Sequence, residues 1–227
     1  MTLQHVDILF QLIVFLFAIS IHESAHAWMA NRRGDPTAYM LGRVTLNPLK
    51  HIDPVGTILL PSIAIFAHLP VLGWAKPTPV NPRNFASPVV DDILTSVAGP
   101  VSNFIVAFAA VASLITISAT SSTGREIVHE ISRGILFGGG DSILVPITLF
   151  LFQLLIINVV LAVFNLIPVP PLDGSHVLRH ALSGPALALY DRLGFFGLLL
   201  LVYFGKGLLG ALISPVLAFF IALATLI

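Results

Sequence analysis

Three side chains near the start of the chain have the types and spacing that zinc-assisted hydrolysis needs. His22, Glu23 and His26 form an HExxH sequence within a run, Ile8 to Ala30, that is otherwise almost wholly apolar. On an α-helix, positions four apart lie on one face, one turn from each other. Two imidazoles so placed can hold one Zn²⁺, and the adjacent Glu23 can take a proton from water at the metal. Titratable groups inside an apolar run of membrane length are costly and generally mark a functional site. A second histidine pair, His176 and His180, has the same spacing but no intervening glutamate. With Arg179 between them, these two read as one face of an interfacial helix.

The elements that must position these residues are set by composition. Of 227 residues, 56% are hydrophobic and 10% charged, with zero net charge, and the mean hydropathy is +0.97. A soluble domain is about a quarter charged. The expected fold class is therefore an all-α polytopic membrane protein. It is a bundle of about five to six transmembrane helices, with a re-entrant or short strand-containing segment after the first. No basic run is present, which argues against nucleic acid as a partner. With no cysteine, disulfides are excluded and any metal must be held by His, Asp or Glu. The opening MTLQHVD lacks the basic region of a signal peptide, so the first apolar run is expected to remain as a helix.

The first helix is expected from about Val6 to Arg33, stopped by Gly34-Asp35-Pro36. Tyr39, Met40, Leu41, Val44 and Thr45 read as short strand pieces around Gly42. Asn47, His51 and Asp53 read either as polar groups near the site or as loop polarity. Val55–Leu72 is apolar but broken by Pro61 and Pro70, and is followed by the irregular, proline-rich GWAKPTPVNPRNF. A long helix is expected over about Asp92–Ala119, with Asn103 at membrane depth as either a support for the site or an interhelical hydrogen-bond partner. Thr120–Asp141 reads as a polar loop. A further helix, about Ser142–Leu166, ends in NLIPVPPLDG, whose prolines cannot continue it. An unwound stretch at membrane depth must line a cavity or be buried in protein. Asp173, just after the break, is thus either a metal ligand or the N-cap of the next helix.

HESAH, GPVSN and NLIPVPPLDG together resemble the site-2 protease family of intramembrane zinc metalloproteases. LGRVTLNP and GWAKP resemble its compact bacterial members without PDZ or CBS domains. The resemblance runs from about His22 to Asp173. It implies one Zn²⁺ per chain held by His22, His26 and Asp173, with Glu23 as catalytic base. It also implies a role for Asn165 in substrate handling and a structural one for Asn103. The partners implied are transmembrane or membrane-associated protein substrates and the lipid bilayer. Residues 1–227 are expected to be a single membrane domain, with its core at about 6–183 and C-terminal helices at about 185–227. The location implied is a bacterial inner membrane. The alternatives are a metal-ion transporter using the same ligands, which predicts repeated halves not seen in the sequence, and a non-catalytic binding homologue.

Orientation follows from charge. Arg32 and Arg33 directly follow the first apolar run, which places that end, and the active site, toward the cytoplasm. If Asp173 meets the histidines, its helix must also run inward. Asp92 is then expected on the cytoplasmic side, and Val55–Leu72 to be re-entrant, a tight hairpin or packed in the interface, the rival being a full span with one of the other helices miscounted. In this cysteine-free chain, single Lys50→Cys and Lys76→Cys variants should both be labelled only from the cytoplasmic face. Labelling from opposite faces would make the segment a true span.

Overall fold

The protein is described by a computed structural model covering residues 3–59, 63, 74–135 and 142–227. The helices are α1 (Leu3–Arg32), α2 (Thr37–Met40), α3 (Pro88–Thr120), α4 (Ser122–Ser132), α5 (Leu144–Asn165), α6 (Gly174–Ala181), α7 (Gly184–Phe204) and α8 (Lys206–Ala224). Short 3₁₀ turns occur at Pro48–Lys50 and Pro82–Asn84, and a π-helical turn at Pro54–Leu59. Among the described residues four helices, α1, α3, α5 and α8, are long and apolar enough to cross a membrane. There are five if α7, bent at Gly194, counts as one span. The described residues thus hold four to five candidate spans, against about five to six expected for the whole chain. Most of Val55–Leu72, where a re-entrant segment was expected, lies outside the described residues.

Two compact units make up the chain. The first comprises α1 as far as Ala18, α3 from Asn103, α4, α5 as far as Val163, and α8 from Gly210. Its core is apolar: Leu114, Leu155, Val159, Phe220 and Ala224 are all buried. Lipid is as apolar as leucine, so polar contacts contribute to specific helix pairing here. Asn103 and Asn158, both wholly buried, share an amide–amide hydrogen bond of 2.8 Å, and Asn103 also donates to the Ala18 carbonyl at 3.3 Å. Gln153 donates to Asp7 at 2.6 Å.

The second unit comprises α1 from Ile19, residues through Ser102, and Phe164–Leu209. Helix α1 ends where Gly34 adopts φ +105°, a conformation closed to most side chains. Asp35 N donates to the Ala30 carbonyl and Gly34 N to that of Asn31, a Schellman stop. The Asp35 carboxylate is wholly buried and takes four hydrogen bonds. The donors are Thr37 N (3.1 Å), Thr37 Oγ1 (2.5 Å), Asn81 N (2.7 Å) and Asn84 Nδ2 (2.7 Å). Burial alone would raise its pKa. The four donors outweigh burial and hold the carboxyl below its ordinary range.

No strand exists among the described residues, and the expected strand pieces at Tyr39–Thr45 must be corrected. Asp35 and Pro36 start a helical turn at Thr37, Gly42 turns the chain with φ +66°, and side chains take the nearby carbonyls. His51 Nε2 binds Thr45 O at 2.9 Å, and Arg43 donates to Lys50 O. Asn47 and Asp53 likewise bind neighbouring backbone N–H groups. The local polar side chains thus supply what a ladder would have supplied.

The expected loop Thr120–Asp141 also contains a helix, α4. Ser121 caps it by accepting from Gly124 N at 3.1 Å, and Ile127 and Val128 are buried on one face. Residues 136–141 lie outside the described set.

In the second unit the proline break after α5 folds into successive turns. Tyr190 Oη donates to the Pro168 carbonyl at 3.1 Å, and Ile167 and Leu172 pack against Leu198 and Leu201. Gly174 follows because a Cβ there would collide with the Leu166 carbonyl.

Replacing Asp35 with Ala leaves its donors without their acceptor. The expected cost is about 2 kcal/mol, read as a lower thermal midpoint in detergent. Because the folded pKa is depressed, the wild-type advantage over Asp35→Ala should be complete above the ordinary carboxylate range. It should disappear as pH falls through the folded value. An advantage independent of pH would contradict this.

Candidate metal centre

The helical register of α1 carries His22, Glu23 and His26 as the spacing requires. The two imidazoles are buried, with ring centroids 4.6 Å apart and planes at 85°. Potential ligand atoms of His22, Glu23 and His26 all lie within 4.8 Å of one another. Asp173 comes from the end of the proline break. Its Oδ2 is 3.0 Å from His22 Nε2 and its Oδ1 is 3.4 Å from His26 Nε2. Two ligands of one tetrahedral zinc, with bonds of about 2.0 Å, stand roughly 3.3 Å apart.

Further features match a metal rather than a simple ion pair. Asp173 sits at the N-cap position of α6, yet its side chain makes no capping hydrogen bond. Its buried Oδ2 faces the Nε2 of His22. His26 Nδ1 lies 2.7 Å from the Thr95 carbonyl. A carbonyl only accepts, so Nδ1 carries the proton and Nε2 is left with a lone pair toward Asp173. Gly99 of α3 supplies the space: a Cβ there would overlap His26 Nε2 and His22 Cε1.

The first turn of α3 ties together the elements that carry these ligands. Asp91 pairs with Arg33 just beyond α1 at 2.6 Å. Asp92 Oδ2 lies 3.2 Å from His176 Nδ1 and 2.7 Å from His180 Nε2, both on α6, which begins directly after Asp173. The second histidine pair therefore binds a carboxylate of α3, and the hydrogen bond to Asp92 raises the pKa of His176 against the effect of burial.

Glu23 is held by Thr78. Thr78 N donates to Oε2 at 3.0 Å, and Thr78 Oγ1 lies 2.8 Å from the same oxygen. Asn165 is the last residue of α5, half-buried, eight positions before Asp173. Asn103 belongs to the first unit and bonds to Asn158 and Ala18. Thr78, Thr95 and Asp35 carried no sequence signal of a site role, since their contacts join distant positions. For Gly99 a signal was available, because a glycine beside a proline within a span permits close helix approach.

His22, Glu23 and His26 on a membrane-length helix form a group that could hold a metal ion, and Asp173, from the chain after the proline break, faces both imidazoles. The family model for Peptidase family M50 matches residues 10–193, and the chain belongs to this family. A Bacillus subtilis (strain 168) protein named "Putative zinc metalloprotease YwhC" is 41% identical over 167 residues, covering 74% of this chain. The chain spans just under two thirds (66%) of that relative's length. No solved structure matches. With its apolar helices, the chain is an integral membrane protein.

The Cβ overlap at position 99 sets a test. Gly99→Ala should displace the imidazoles and weaken zinc binding about 10–100-fold, the range for residues that orient metal ligands. Equilibrium titration with a zinc-selective chelator reads this. Unchanged affinity would mean that Gly99 does not shape the centre.

Proposed function

We propose that the protein is an intramembrane zinc metalloprotease that hydrolyses peptide bonds of membrane-spanning or membrane-associated proteins. The observation that carries this is the convergence of His22, His26 and Asp173 beside Glu23. In this reading His22, His26 and Asp173 hold one zinc ion per chain, and Glu23 is the catalytic base of the HExxH sequence. When bound, zinc supplies Lewis acidity toward water and the scissile carbonyl. Glu23 takes the proton of the attacking water and returns it to the leaving amine. The His26–Thr95 hydrogen bond keeps one ligand in the right tautomer, and the buried setting limits access of bulk water.

Asn165 borders the unwound stretch and is proposed to handle substrate. Asn103, through Ala18, supports α1 one turn before His22. The region 1–227 is proposed to act as one membrane domain, with the core at about 6–183. A bacterial cell membrane is the proposed location, and Arg32 and Arg33 support an active site on its cytoplasmic side.

The test is a panel of purified single-span proteins incubated with wild type and with Glu23→Gln. The variant should keep its zinc and lose cleavage by about 10³-fold, since the amide cannot take the proton. Cleavage undiminished in Glu23→Gln would remove Glu23 from this role.

A further inference from the structure

We infer that Thr78 is the positioning residue for Glu23, fixing the carboxylate from a segment far away in sequence. The inference rests on the function proposed above, in which Glu23 moves the proton. A glutamate on a helix surface has three side-chain torsions to lose on being ordered. Thr78 supplies both a main-chain and a side-chain donor to a single oxygen, Oε2, at 3.0 and 2.8 Å. Thr78 Oγ1 is also 3.0 Å from the Glu23 main-chain carbonyl. A hydroxyl has one proton, and the closer, charged carboxylate oxygen is the stronger acceptor. None of these bonds goes to Oε1, so the carboxylate is anchored through one oxygen.

The surrounding segment is built to deliver these donors. Pro77 and Pro79 flank Thr78. Neither has an N–H, so Thr78 provides the only main-chain donor of the three residues, and it goes to Glu23. The segment is pinned on both sides. Lys76 N donates to the His51 carbonyl at 2.8 Å, and Asn81 N donates to Asp35 at 2.7 Å. Asp35 itself follows the stop of α1. The same helix that carries Glu23 therefore ends in the carboxylate that anchors the strap holding Glu23. All of these residues lie in the second unit.

The test uses the full-length protein with Thr78→Val, which keeps the shape and the backbone donor, and Thr78→Ser, which keeps the hydroxyl. A hydrogen bond to a charged group corresponds to about a tenfold effect or more. Thr78→Val should lower kcat about tenfold with KM within about twofold and zinc content unchanged, and Thr78→Ser should restore most of kcat. A purely structural role would move KM, zinc content or folding as well, without rescue by serine. Equal kcat in Thr78→Val and wild type would overturn the inference while leaving the protease reading intact. A readout independent of activity is a double-mutant cycle of thermal midpoints with Thr78→Val and Glu23→Ala. Coupling between the two supports the contact, and additive midpoints overturn it. If wild type cleaves no substrate, the proposed function fails, and this cycle still decides whether Thr78 holds Glu23.

Discussion

The structure around the candidate metal centre depends on the cost of keeping a carboxylate and two imidazoles away from bulk water. An isolated buried charge is strongly disfavoured, whereas one that is paired or that coordinates a metal is tolerated. Asp173 is set against His22 and His26, and His26 is further tied to a main-chain carbonyl. The helix carrying the histidines therefore cannot be placed without regard to the segment carrying Asp173. The neighbouring features follow from this. Gly99 leaves room for the rings, Gly174 lets the chain pass the Leu166 carbonyl, and the prolines stop α5 so that a carboxylate can be presented there.

Three further carboxylates organise the elements that bear His22, His26 and Asp173. Asp35, Asp91 and Asp92 are each engaged by at least two partners. Asp35 links the end of α1 to residues 81–84. Asp91 links Arg33 to the start of α3, and Asp92 links α3 to α6. With few charges in the chain, this concentration beside the centre is a structural feature in its own right. It places the stop of α1, the first turn of α3 and the start of α6 in one polar network.

Much of this was legible in the sequence, for physical reasons. Four-residue spacing on a helix brings His22 and His26 together whatever the tertiary fold, and prolines after an apolar run fix where α5 must stop. Asp173 was narrowed to a ligand or a cap, and its side chain makes no capping hydrogen bond. The helix Ser122–Ser132 was not recognised because its first turn is polar, although Ser121 and the apolar Ile127–Val128 pair were the available signals. The strand expectation near Gly42 failed because β-branched and aromatic residues report only a preference, and the carbonyls there are claimed by His51 and Arg43. The Thr78–Glu23 contact spans 55 positions, and no local pattern encodes such a pairing.

The central claim is that Asp173 and the two histidines form one zinc site. The most direct measurement is the zinc dissociation constant of purified Asp173→Ala against wild type, by competition with a chelator of known affinity. The account predicts affinity lower by at least about 100-fold, with the helical content retained, because one of three protein ligands is removed. Equal zinc affinity in the two proteins would contradict it.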